Sequence, residues 1–292
     1  MKKTTDLISF NIISYVFIGI LSLFCMFPFL VLLMSSFTSE RYILNHGYTL
    51  FPEEFSLNAY LTLFTNSRQI ISSYMVTIFI TIIGTSISLF VATMSAYVMY
   101  RKDLKYRDTL TFIIYFTTLF SGGLAPYYII LTKYFHMKNT VWVLLLVPMF
   151  SAINILILRN FISGSIPDSL VESAKIDGAG DFRIFIKIIL PLAKPAMASI
   201  GLFTALGYWN DWWTAMMFID KQELFPLQYT LYLILSSAKM SQMVSANAIG
   251  IQIPQETMKV AMTVVSTGPI LLAYPFVQKH FVKGITIGAV KG

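Results

Sequence analysis

The chain has 292 residues, 56% of them hydrophobic and 12% charged, with a mean hydropathy of +0.70. That is more apolar surface than a soluble core of this length can hide, so lipid is the solvent for most of it. The formal charge of +7 does not point to nucleic acid, because the basic residues come as short groups between apolar runs, where loops meet an anionic membrane face.

Lys2 and Lys3 precede an uncharged stretch over 7–39, too long for a signal-peptide core and without a small-residue cleavage site, so it reads as a retained first helix. The single cysteine, Cys25, lies within it and serves packing. Further uncharged stretches run over 69–100, 109–132, 139–158 and 260–278, and 195–219 qualifies apart from Asp211. About 20 helical residues cross ~30 Å of hydrocarbon. The expected spans are 11–36, 72–99, 109–132, 140–160, 196–219 and 260–279, in one all-α domain over 1–292. Two shorter stretches, 224–238 and 240–255, are rich in Ser, Gln and Asn and read as one or two short external helices. External loops are therefore expected over 38–70 and 220–258, and a cytoplasmic loop over 161–195.

Fourteen of the 21 Lys and Arg residues fall on one side of this arrangement, among them Arg101, Lys102, Arg107, Lys175 and Arg183. Cytoplasmic loops retain positive charge, which puts both termini inside. Backbone groups in lipid must pair within their own segment, so a helical bundle is expected rather than a barrel. Pro28, Pro126, Pro148, Pro269 and Pro275 fall in spans and are expected to kink them. No internal repeat of the secondary-transporter kind is found.

The segment 166–195 carries helix signals of its own. Asp168 is placed to cap a helix starting near Ser169, and Gly178 with Gly180 to end it after two to three turns. A second amphipathic stretch covers 182–190, and Pro191 is expected to bend the chain before the fifth span. Exposed Glu172 and Asp177 above a packed Ala174 make a convex surface that a partner groove can grip, though any amphipathic linker offers the same pattern.

Glu172, Ser173 and Ala174, then Gly178, then Ile188, Leu190 and Pro191 stand at the spacing of a known signature: Glu-Ala-Ala, three residues, Gly, nine residues, Ile, one residue, Leu-Pro. The segment resembles that signature of binding-protein-dependent ABC importer permeases, with only Ser173 departing from it. The last residues, 280–292, resemble the ending of carbohydrate-type permeases related to the maltose importer, and Trp209, Asn210, Asp211 and Trp212 match that subgroup's Trp-Asn-acid-aromatic run. Similarity extends over essentially the whole chain and leans toward permeases for complex oligosaccharides or polysaccharide fragments.

The resemblance implies a six-helix type I importer (MetI-like) permease in a bacterial cytoplasmic membrane. It implies a coupling helix seated in a cleft of a separate ATP-binding subunit, with Glu172 pairing a basic residue there. Ala174 and Gly178 would allow close approach, Pro191 would set the exit angle, and Ser173, Asp177, Ile188 and Leu190 would complete the coupling set. Implied partners are a second homologous permease, an ATPase dimer that holds ATP and Mg, and an extracytoplasmic solute-binding protein or lipoprotein. The tail would touch the ATPase dimer.

Tyr208, Trp209, Asn210, Asp211, Trp212 and Trp213 form the most unusual patch in any span. A carboxylate there is costly unless it faces a cavity or partner, and aromatic faces beside an acid and an amide suit a sugar. At helical spacing Trp209, Trp212 and Trp213 share one side and Asp211 points away, so the six cannot all line one pore. An aromatic belt with a structural Asp211 fits the same residues. Charges at Glu40, Arg41, Glu53, Glu54 and Arg68 suit a surface that receives a binding protein, or a plain solvated loop. His46, His136 and His280 are scattered and form no metal set, and no Gly-Lys-Ser/Thr phosphate loop occurs, so the chain is expected to be neither an enzyme nor an ATP binder. Alternatives are an ion-coupled secondary transporter, for which only Asp211 offers an ion site, and an importer permease for a non-sugar solute.

Overall fold

The structure is a computed structural model that describes residues 2–245 and 255–271. Among these residues the secondary structure is helical, apart from an isolated bridge between Thr38 and Phe55. The chain forms two compact units, Met1–Ser67 with Leu231–Ile270 and Arg68–Thr230 with Leu271–Gly292.

In the first unit, α1 (Lys2–Ser35) is apolar all round, and within its apolar stretch Phe10–Ser35 almost every side chain is open, Ser35 at the end being the buried exception. Such a helix needs lipid or another chain as its surroundings. Helix α2 (Glu40–His46) is capped by Ser39, whose Oγ accepts from the Tyr42 amide at 3.2 Å and donates to Glu54 at 2.5 Å; α3 (Asn58–Leu63) follows. The Glu40 carboxylate accepts from the Glu256 and Thr257 amides at 2.9 and 2.8 Å. It thereby caps a helix over 255–271. Glu40 and Glu54, expected as receiving charges of an external loop, are thus engaged by their own unit.

The second unit is built on α4 (Ser67–Tyr100), α5 (Arg107–Leu119), α6 (Leu124–Ile129), α7 (Val141–Leu146), α8 (Ala152–Ser165), α9 (Asp168–Ile176), α10 (Asp181–Ile184), α11 (Leu190–Asn210), α12 (Trp213–Phe218) and the first turn of α13 (Leu227–Ser245). Among the described residues, Phe10–Ser35, Arg68–Tyr100 and Asp181–Asn210 are each long and apolar enough to span, and Arg107–Leu119 with Leu124–Tyr134 qualifies as a pair bent by 115°. The bend falls where Gly123 adopts φ +86°, a left-handed conformation that suits glycine. The expected helix over 140–160 is two helices, α7 and α8, interrupted at Pro148, which has no amide proton to donate. In place of one or two short helices after 224, α13 runs 19 residues. The expected sixth span, 260–279, continues past residue 271, and with the tail 280–292 lies partly outside the described residues.

Along one face of α4, Ser73, Thr77, Gly84 and Ser88 recur at helical spacing and are buried. They meet the irregular points of the neighbouring segments. Ser73 bonds Thr230 at 2.7 Å, and Thr77 accepts from the Leu227 amide at 2.8 Å, where α13 begins. Ser88 donates to the Met149 carbonyl at 2.6 Å, and Tyr208 donates to the Leu145 carbonyl at 2.6 Å, so both sides of the Pro148 interruption regain a partner. Gly84 makes room for the Tyr208 ring: a Cβ there would lie 2.5 Å from its carbons.

Gly84→Ala should overpack this contact and Tyr208→Phe should orphan the Leu145 carbonyl, each lowering stability by about 1–3 kcal/mol in detergent unfolding titrations. Gly19→Ala, which meets nothing within 4 Å, should cause no loss. Equal stability of all three variants would show that the repair is not needed.

Candidate functional site

At one end of the second unit, α9 lies over a buried cluster formed by Ala96, Tyr97, Met99 and Tyr100 of α4, Ile155, Leu158 and Ile162 of α8, and Ile184, Phe185 and Ile189 beyond α9. Val171 is the buried anchor of α9, and Ala174 packs beside it half-buried. Glu172, Ser173 and Asp177 are exposed, and Ile176 is 87% exposed. Ile188 and Leu190 pack against the cluster, whereas Pro191 is exposed.

The helix starts differently from the expectation. Pro167 is the N-cap residue and makes no side-chain cap. The Asp168 carboxylate instead accepts from Tyr100 Oη at 2.6 Å and Lys102 Nζ at 2.5 Å. Its far end closes as a Schellman motif, with Ala179 N–H donating to Ala174 O at 2.9 Å and Gly178 N–H to Lys175 O at 3.0 Å. Gly178 stands at φ +76° with open space around its Cβ position. Backbone conformation within this chain by itself calls for glycine there.

Pro191 does not end the helix it sits in. The helix runs unbroken over Asp181–Asn210, through a π-turn, Phe185–Ile189, in which the Leu190 amide reaches back to Phe185 O. This wider turn is placed just before the proline whose amide proton is missing. Phe185, in the turn, packs edge-on to Phe90 at 5.6 Å and against Tyr97 at 6.0 Å, which seats the segment on α4.

A small hollow of about 150 Å³ beside α9 is lined by Tyr100, Arg101, Lys102, Asp103, Asp168, Val171, Glu172 and Lys175. Arg101 holds Asp103 by two bonds, Nε at 3.0 Å and Nη2 at 2.6 Å, and reaches Asp181 at 2.7 Å. Lys175 joins Asp103 at 2.6 Å. Hydrogen bonds from Arg101 and then Lys175 hold the Asp103 carboxyl well below its ordinary range, and those from Lys102 and then Tyr100 lower Asp168. A carboxylate lowered by folding stabilises above its unfolded value and loses that effect only as pH falls through the lower folded value. These contacts therefore persist under mild acidification. Sequence reasoning missed them, because Arg101 and Lys102 were read only as positive charge beside the membrane.

At the other end of the unit, Lys138 pairs with Asp220 at 3.0 Å and Gln69 Nε2 donates to Gln222 O at 2.8 Å. Nearby, the patch 208–213 is not one continuous helix. Helix α11 stops at Asn210, Asp211 is extended, and α12 starts at Trp213. Asp211 Oδ1 accepts from the Thr214 amide at 3.0 Å and caps the restart. The helical-wheel division of the patch therefore fails at its own centre. Tyr208 and Trp209 are buried at 1% and 8% exposure, Trp212 and Trp213 are open at 37% and 38%, and Asn210 accepts from Gln228 Nε2 at 3.1 Å. Of the six, Trp213 lines an open cleft of about 570 Å³, together with Ser121, Gly122, Gly123, Pro126 and Tyr127 at the 115° bend.

Residues 7–287 match the family described as binding-protein-dependent transport system inner membrane component. The chain belongs to this family. It is 40% identical over 284 residues to the polygalacturonan/rhamnogalacturonan transport system permease protein YtcP of Bacillus subtilis (strain 168), covering 97% of this chain and 98% of that protein. Protein LplC of the same organism is 36% identical over 286 residues, covering 97% and 95%. A chain in the crystal structure of a bacterial ABC transporter that imports the acidic polysaccharide alginate superposes with a TM-score of 0.77 at 29% identity, covering 93% of this chain and 96% of that one. Membership makes this chain a membrane-embedded, non-catalytic transport subunit of a binding-protein-dependent importer, a family that implies a solute-binding protein and an ATPase as partners.

The backbone geometry at the end of α9 can be tested by itself. Gly178→Val should cost ~1–2 kcal/mol, because a branched residue resists a left-handed backbone. Amide exchange at Gly178 and Ala179 should then accelerate about 5–30-fold. Gly178→Asn, which tolerates that conformation, should change it far less. The same exchange rate in both variants would exclude the backbone explanation.

Proposed function

We propose that this chain is one of two homologous permeases in a carbohydrate importer, with six spans in a type I (MetI-like) arrangement and both termini in the cytoplasm. The basic end that carries Arg101, Lys102, Lys175 and Arg183 faces inward by the positive-inside rule. On that side α9 is the coupling helix, received by a groove of an ATPase dimer that binds ATP and Mg. Glu172, Ser173 and Asp177 face the ATPase, while Ala174, Ile188 and Leu190 hold the segment to the membrane core. Closure of the ATPase moves α9 and switches the spans between outward and inward access, and a solute-binding protein or lipoprotein delivers cargo outside.

The observation that carries this reading is α9 itself: a short helix at the basic end of a permease-family chain, anchored by Val171 and open along Glu172, Ser173 and Asp177. Oligosaccharide cargo is supported by relatives named for pectic polymers and alginate. Trp213 and Tyr127, in the cleft where two broken segments meet, offer ring faces on which a sugar can stack. The other five residues of the patch act by packing and capping around it.

Purified from its native membrane, the chain should bring with it an ATPase and a second permease, and ATP hydrolysis should rise only with loaded solute-binding protein. Trp213→Ala should reduce oligosaccharide uptake about tenfold, the effect of losing ~1.4 kcal/mol, with the assembled complex intact. Copurification without an ATPase defeats the importer reading; undiminished uptake by Trp213→Ala removes Trp213 from the path.

A further inference from the structure

All four residues at 100–103 reach across to the α9–α10 segment, and Arg101 joins Asp103 as well as Asp181. Tyr100 and Lys102 hold Asp168 at the start of α9, Asp103 holds Lys175 in its last turn, and Arg101 holds Asp181 at the start of α10. Asp168 and Asp181 each occupy the first turn of a helix, where a carboxylate is favoured by the exposed amides. Every one of these partners lies at or just past the end of the 34-residue α4.

A nine-residue helix is not stable alone. Apart from these polar contacts α9 rests on Val171 and half of Ala174, between Pro167 on one side and Gly178 and Gly180 on the other. Ion pairs this exposed add little to stability. Their value is geometric: a planar guanidinium fork engages two carboxylates at once, and the lysine pairs tie both ends of α9 to the turn that leaves α4.

We propose that Asp103 and Lys175, with Arg101, are positioning residues that carry motion of α9 directly into α4. The proposal rests on α9 being the ATPase-docking helix. A push on α9 then moves α4 through the Asp103–Lys175 and Arg101–Asp181 contacts. Without them α9 turns on Gly178 and Gly180, and the ATPase closes without moving the spans fully.

The test uses the whole importer complex, with Cys25→Ser to remove the native thiol and Ser121→Cys to report on the cleft at the far end of the unit. In this parent, ATP should change the maleimide labelling rate of the new cysteine. Lys175→Met and Asp103→Asn should each shrink that change about fivefold or more while the ATPase subunit still copurifies, and Lys175→Arg should restore it. An undiminished response in both variants overturns the proposal. So does a response lost only together with the ATPase, since the pair then serves docking rather than transmission. A parent that copurifies no ATPase rejects the coupling reading instead, a failure seen before any clamp variant is made.

Discussion

In hydrocarbon a backbone carbonyl without a donor costs several kcal/mol, and Pro148 creates that problem in the middle of an apolar segment. The solution organises the second unit. Tyr208 of α11 takes the Leu145 carbonyl and Ser88 of α4 takes that of Met149. Gly84 is the space that lets Tyr208 arrive. Two long helices are thereby locked to one broken one, and α4 reads as a row of repairs: Ser73 and Thr77 for α13, Gly84 and Ser88 for the interruption at Pro148.

The same economy produces irregular backbone in two places where a straight helix would leave a smooth wall. The turn at 120–123 and the gap at 211–212 are both local breaks, and Trp213 beside Tyr127 lines the cleft at the first of them. At the opposite end stands the charged fastening of α9. The uninterrupted helix of 30 residues, Asp181–Asn210, is about 45 Å long at 1.5 Å per residue and joins these two ends. One continuous helix thus connects the charged fastening of α9 to the place where the backbone is irregular.

Legibility in the sequence followed the range of the interaction. The apolar runs, the basic end and the stop of α9 depend on neighbours within a few residues, and the residues announced them: Gly178 ends its helix, and Glu172 and Asp177 face outward as periodicity requires. Asp168 was misread because a cap is a local inference, whereas its partners, Tyr100 and Lys102, are 68 and 66 residues away. Helix continuity through Pro191 was not legible because a π-turn upstream can absorb the missing donor, and no residue pattern distinguishes that turn from an α-helical one. The break at Ser121, Gly122 and Gly123 carried a visible turn signal, two consecutive glycines ahead of Pro126, which the absence of charge over 109–132 overrode.

Asp211 bears on where energy enters. An ion-coupled transporter needs a carboxylate in a span to take up and release its driving ion, and Asp211 is the acid that interrupts the apolar run 195–219. Its Oδ1 is occupied by the Thr214 amide at 3.0 Å. Releasing that bond to bind an ion would uncap α12 and, through Thr214 and Ala215, both buried, disturb the packing behind the cleft. A family that works with an ATPase has no need of such a site. Asp211 instead fixes the shape of the chain where α11 ends and α12 begins.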